Sequence, residues 1–183
     1  ANPDLLPGGT RNFTAVVQGR KVYDPRTTLT AYSANVALCV NDYLTNTTFG
    51  LGATYASEID ETALIAAANL CDEDVSLAKG GTENRYECGG AFDTAVQPRE
   101  VLGRLLAAMA GHAVNVGGKW YIFGGSYEAP TITLDEGDLA GPIRVQSLVG
   151  RRENANGVKG KFTDPDSRWQ VTDFPALASS PYY

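Results

Sequence analysis

Five Gly-Gly pairs, Gly8-Gly9, Gly80-Gly81, Gly89-Gly90, Gly117-Gly118 and Gly124-Gly125, punctuate the chain and confine it to short elements. A glycine inside a helix or strand costs about 0.5–1 kcal/mol relative to alanine, so a doubled glycine marks a turn or a boundary. Glycine fills 20 of 183 positions, well above the ~7% of an average globular chain. The pairs follow no fixed period of roughly 20–50 residues, which argues against a solenoid or propeller. With 43% hydrophobic and 20% charged positions, the chain can bury a core, as one ordinary domain or two small ones.

The first strand signals are Phe13 to Val17 and Lys21 to Tyr23, joined as a hairpin across Gln18-Gly19-Arg20. Asp24-Pro25 ends the second, because proline lacks a ladder donor and restricts its predecessor. Ser33 or Asn35 caps a helix with Val36, Val40, Tyr43 and Leu44 on one face, ending before Asn46-Thr47-Thr48. Asp60 caps a second helix whose stripe is Leu64, Ile65, Ala67, Ala68 and Cys71, the small alanines allowing close approach to a neighbour. A polar loop is expected from Asp72 to Asn84, then a strand from Tyr86 to Phe92 with Gly89-Gly90 as a bulge.

The strongest helix signal follows. Pro98 stands in the first turn, where its missing N–H costs nothing. Val101, Leu102, Leu105, Leu106 and Met109 form the apolar face, and Gly111 is the expected C-cap. Ala113 to Val116 and Trp120 to Phe123 then make a hairpin about Gly117-Gly118, completing a strand-helix-strand-strand unit. Thr131 to Leu134 reads as a strand before the acidic turn Asp135-Glu136-Gly137-Asp138. Ile143 to Val149, Val158 to Phe162 and Trp169 to Val171 read as further strands. Strands at both ends around a helical middle predict an α+β fold. The expected division is a discontinuous β-rich domain of residues 1–26 plus 141–183 and an inserted α+β domain of residues 27–140.

Fifteen Lys and Arg against 21 Asp and Glu give a net charge of −6. No basic stripe suits phosphate neutralisation; Arg151-Arg152, Lys159 and Lys161 are interspersed with Glu153, Asp164 and Asp166. The longest apolar run, Ala63 to Ala68, is six residues, against the roughly 20 of a membrane-spanning helix. No basic leader or initiator Met stands at Ala1-Asn2-Pro3-Asp4, so a processed chain or an excised fragment is expected. Cys39, Cys71 and Cys88 contain no CxxC pair, and His112 is the one histidine, so a zinc site is not expected. Buried reduced thiols are the favoured reading, with one disulfide as the alternative.

No catalytic, cofactor-binding or metal-ligating residue is assigned. His112 stands at a helix exit, where capping or packing explains it. Asp72-Glu73-Asp74 lacks the alternating ligands, central Gly and final Glu of a calcium loop. Glu58, Asp60 and Glu61 could pair as glycoside-hydrolase acids, but capping explains Asp60 and Glu61 more simply. Asp164-Pro165-Asp166 with Arg168-Trp169 reads as a turn, with Trp169 and Phe174 packing or offering a binding surface. The glycine pairs form neither GxGxxG nor a phosphate loop, and GxSxG is absent.

An ordered set of segments resembles the central region of the tail-tip attachment, or tail hub, proteins of long-tailed bacteriophages. They are Gly19-Arg20-Lys21-Val22-Tyr23-Asp24-Pro25-Arg26, Asn35-Val36-Ala37-Leu38-Cys39 through Asp42-Tyr43-Leu44, Phe49-Gly50-Leu51-Gly52, Glu58-Ile59-Asp60 and Ala66-Ala67-Ala68-Asn69-Leu70-Cys71-Asp72. Pro98-Arg99-Glu100-Val101-Leu102, Leu106-Ala107-Ala108-Met109-Ala110-Gly111, Gly117-Gly118-Lys119-Trp120 and Thr172-Asp173-Phe174-Pro175 follow. The resemblance spans about residues 13 to 177 and rests on order and spacing.

It implies an internal fragment of a longer structural virion protein, located at the tail tip after assembly in the host cytoplasm. Three copies would form a ring of β-barrel domains with α+β insertions, closing the tail tube and meeting other tail-tip, tube and fibre or receptor-binding proteins. DNA would pass without being bound, for which a negative lumen suits the acidic balance. The resemblance implies no enzyme and no cofactor. Two other functions compete: a cell-wall hydrolase using Glu58 or Glu100 as acid, and a carbohydrate- or receptor-binding module using Trp120, Tyr121 and Tyr127.

Overall fold

The structure is a computed structural model that describes residues 15–77, 80–127, 129–142, 144–145, 157–165 and 167–178. It is mixed α+β, with four α-helices and two-stranded antiparallel sheets among the described residues. The chain divides into two compact units, Ala1–Ala129 and Pro130–Tyr183.

In the first unit, β1 (Lys21–Asp24) pairs with β2 (Leu29–Tyr32), Lys21 opposite Tyr32 and Asp24 opposite Leu29. This replaces the expected hairpin about Gly19, since residues 15–20 form no strand; Phe13 and Thr14 lie outside the described residues. The Asp24 side chain decides the turn: its Oδ1 accepts from the Arg26 N–H at 2.9 Å, and Thr27 N–H donates to the Asp24 carbonyl. Aspartate before Pro25 therefore starts the reversal as well as ending the strand.

Helix α1 (Val36–Thr45) is capped by Asn35, whose Oδ1 accepts from the Leu38 N–H. Its expected face, Val36, Val40, Tyr43 and Leu44, is buried, with Ala37 and Leu38 beside it. After the single turn α2 (Tyr55–Glu58), which the sequence reading did not anticipate, Asp60 caps α3 (Glu61–Cys71) through the Ala63 N–H. Leu64, Ala67, Ala68 and Cys71 are buried, and Ile65 is half-buried. Helix α1 packs on α3, α4 (Pro98–Ala108) and β1, and α3 packs on β6 (Lys119–Phe123), so the core lies around α1.

The expected polar loop holds a hairpin, β3 (Asp74–Ser76) with β4 (Thr82–Asn84), beyond which Leu77 N–H donates to the Gly81 carbonyl. The strand expected from Tyr86 to Phe92 reduces to one bridge, Asn35 with Glu87. Tyr86 N–H donates to the Cys71 carbonyl and Cys88 N–H to that of Ala34. A segment that ties the end of α3 to the entry of α1 runs alongside no single strand, so the expected unit lacks its first strand.

Helix α4 begins at Pro98 as expected, with Val101 buried and Leu102, Leu105 and Leu106 half-buried. Its exit differs in detail. Met109 is the C-cap and is buried, Ala110 takes the left-handed conformation at φ 48°, and Gly111 N–H donates to the Leu106 carbonyl at 2.9 Å. With Ala110 N–H bonded to Ala107, this is a Schellman closure carrying alanine where glycine is usual. Gly111 serves another need: a Cβ there would stand 2.2 Å from the Phe123 carbonyl oxygen.

Strands β5 (His112–Val116) and β6 form the expected hairpin, with Gly117 and Gly118 at φ 62° and 84° supplying its two left-handed turn positions. Ile59 bridges Trp120 in parallel, and Asp60 N–H donates to the Trp120 carbonyl at 2.9 Å. The hairpin is thereby fixed to the start of α3.

In the second unit, Thr131 to Leu134 form no strand, and Ile132 and Leu134 are exposed. Asp135 caps a 3-10 turn, Glu136–Asp138, at the expected acidic turn. Of Ile143 to Val149 only Arg144 and Val145 are described, neither in a strand; the rest lie outside the described residues. The strand expected over Val158 to Phe162 is split into β7 (Gly157–Val158) and β8 (Lys161–Asp164), pairing with β10 (Leu177–Ala178) and β9 (Gln170–Asp173). Two residues, Lys159-Gly160, face three, Phe174-Pro175-Ala176, which makes a bulge where proline has no ladder bond to give. Phe174 covers Gly160, so a Cβ on Gly160 would meet its ring at 2.3 Å.

Candidate functional site

Glu58, Asp60, Glu61, Asp72, Glu73 and Glu100, singled out from sequence, are engaged in the fold. Glu58 Oε2 accepts from the Thr54 N–H at the entry of α2, and Glu61 accepts from the Tyr55 hydroxyl at 3.0 Å. Asp60 caps α3 and has Lys119 Nζ at 3.8 Å. Burial, then the Glu61 carboxylate, pushes the Tyr55 hydroxyl pKa up. Glu100 pairs with Arg104 one turn along α4. Asp72 pairs with Arg26 at 2.8 Å and Glu73 with Arg85 at 2.9 Å. Among the described residues no group of three or more His, Cys, Asp or Glu side chains is placed to hold a metal ion.

His112 is exposed and stacks on Phe123, ring centroids 5.0 Å apart, which is the packing role expected of it. Trp120 and Tyr121 are half-buried, and Tyr127 is 88% exposed. Trp169 is exposed at a left-handed φ of 61° in the turn before β9, and Phe174 packs on Gly160.

The best-built polar cluster was not anticipated. Arg26 reaches Asp24 through Nε and Nη2, Asp72 through Nη2 and Asn69 Oδ1 through Nη1. It clasps the β1–β2 turn to the end of α3. The Arg26 hydrogen bonds hold the Asp24 carboxyl below its ordinary range, against desolvation, and Asp24 in turn raises the guanidinium. Both groups are mostly covered, so this pair is stronger than an open surface ion pair. A local signal existed in Asp24-Pro25-Arg26, but the partner Asp72 is 46 residues away from Arg26 in sequence.

A second cluster joins Arg20, Asp42, Phe49, Tyr43 and Phe92. Arg20 Nε donates to both Asp42 carboxylate oxygens, and its guanidinium lies 5.2 Å from the Phe49 ring centre. Phe92 meets Tyr43 and Phe49 edge to face, at 5.5 and 5.9 Å. A groove of about 450 Å³ runs between α3 and the end of β6, lined by Ala63, Ala67, Leu70 and Phe123 with Glu73 at its edge. Asn69 and Ser126 add polar groups to its walls, and its Glu73 carboxylate is paired with Arg85.

All three cysteines are free thiols. Cys71 is buried as expected, and burial raises its pKa. Cys39, expected to be buried, is half-buried, as is Cys88. In the second unit, none of the described residues with an assigned burial is buried, and Ile132, Leu134, Val145, Phe162, Trp169 and Val171 are exposed. Among the described residues no helix is long and apolar enough to cross a membrane. No family model matches the chain.

Proposed function

We propose that the chain is part of a bacteriophage tail hub, a structural virion component that closes the tail tube and joins it to fibre or receptor-binding proteins. The reading rests on the ordered resemblance across residues 13–177, and one structural observation supports it. The second unit carries large apolar side chains and two-stranded pairings, yet none of its described residues whose side-chain exposure is known is buried. Two-stranded ribbons are marginal alone, and apolar area left in water favours association. Three copies surround the tube axis, other tail proteins cover the second unit, and DNA passes a lumen of like charge. The protein acts at the tail tip and is assembled in the host cytoplasm, without enzymatic activity or a cofactor.

Antibodies raised against the chain should label the distal end of tails in virions from its source. A map of that tail tip should place three copies around the axis. Labelling confined to another virion part, or a tip with no density for the chain, overturns the proposal.

A further inference from the structure

Two nucleophilic side chains far apart in sequence meet at the N-terminal end of α1. Cys39 lies one turn into the helix, its N–H donating to the Asn35 carbonyl and its Sγ 3.8 Å from the Ser33 carbonyl oxygen. The segment holding Cys88 is pinned to the same place by the Asn35–Glu87 bridge and by the Cys88 N–H bond to the Ala34 carbonyl at 2.9 Å. The two side chains are therefore carried by backbone anchored to the same turn, and each is the principal electrostatic neighbour of the other. Both are half-buried, packed on the core yet open to solvent on one side, whereas Cys71 is fully buried.

We propose that Cys39 and Cys88 form a reversible disulfide site, oxidised by low-molecular-weight disulfides such as oxidised glutathione, that clamps the 85–92 segment to α1. Cys88 is the attacking group. The neighbouring Cys39 side chain lowers the Cys88 pKa against the opposing effects of burial and Glu87, and the positive end of α1 adds to this. The Cys88 thiolate attacks one glutathione sulfur, breaking that S–S bond and releasing a glutathione thiolate. Cys39 then loses its proton and attacks the Cys88 sulfur of the mixed disulfide, releasing the second glutathione. Two cysteine thiols are oxidised, one glutathione disulfide is reduced to two thiols, and the two protons lost from the protein end on them. The site is independent of the hub proposal.

The folded chain, incubated with oxidised glutathione and then alkylated, should lose the mass of two hydrogens. Peptide mapping should find Cys39 joined to Cys88 and Cys71 alkylated only after denaturation. Dithiothreitol should restore the original mass, and the oxidised form should melt at a higher temperature. Cys39→Ser should stop the reaction at a glutathione adduct on Cys88, with Cys88→Ser giving no bridge. A bridge that includes Cys71, separate glutathione adducts on Cys39 and Cys88 in the unsubstituted chain, or no reaction at either thiol overturns the proposal.

Discussion

Asn35 Nδ2 donates to the Ala68 carbonyl at 2.9 Å, so the residue that caps α1 also binds the middle of α3. Asn35 is 3% exposed and Ala68 is fully buried. One amide thus satisfies the helix entry with its oxygen and fixes the neighbouring helix with its nitrogen. Asn35→Ala removes both bonds and should cost about 2 kcal/mol. Asn35→Asp keeps the acceptor, loses the donor and sets a carboxylate against a carbonyl oxygen. Urea midpoints should rank the unsubstituted chain first and both variants clearly below it.

Two glycines should respond in opposite directions to alanine. A Cβ on Gly50 would stand 1.8 Å from the Tyr43 carbonyl oxygen, a backbone atom held by the Leu51 N–H, so Gly50→Ala must displace the turn after α1. It should cost at least about 1–3 kcal/mol. Gly103 lies inside α4 with open space around it, and Gly103→Ala should gain about 0.5–1 kcal/mol. Denaturation of the two variants side by side checks both signs.

Ala110 holds a left-handed φ of 48° in an exposed position. Ala110→Gly should stabilise the chain by about 1 kcal/mol through relief of the Cβ clash. Ala110→Val should destabilise it, since branching at Cβ worsens the same clash. Thermal melting of the pair is the measurement.

The Asp24–Arg26 clasp gives an acid limb of known sign. Asp24 is pushed below its ordinary value of 3.8 in the folded state. The folded chain therefore binds its proton less readily than the unfolded one. Its stabilising contribution is complete above that ordinary value and is lost as pH falls through the lower folded value. Asp24→Asn should cost about 1–3 kcal/mol at neutral pH and flatten the loss of stability below about pH 4. Urea titrations at neutral and acid pH should converge for the two proteins; parallel curves would remove Asp24 from the acid response.

The elements legible in the sequence are those whose instructions are local. Asn35, Asp60 and Pro98 begin helices where their side chains or missing N–H dictate, and Gly117-Gly118 closes the β5–β6 hairpin at the expected residues. The misses have non-local causes. Tyr86 and Phe92 are strand formers at the two ends of the segment, but the Tyr86 and Cys88 N–H groups are taken by the Cys71 carbonyl at the end of α3 and the Ala34 carbonyl just before α1. Phe174 reads from sequence as an aromatic that packs or offers a binding surface; only the register of the opposing chain shows it at a bulge.

By itself the sequence determined the α+β class, the helix starts and the turn chemistry, because caps, periodicity and glycine conformation act within a few residues. It also placed Val36, Val40 and Leu44 in the core through their spacing alone. Only the tertiary structure decided that Arg26 would clasp Asp72, that Asn35 would reach Ala68 and that the Cys88 N–H would bond the Ala34 carbonyl at the entry of α1. Each depends on how α1, α3 and the 85–92 segment pack. Packing geometry is set by the summed fit of many side chains, which no single stretch of residues encodes.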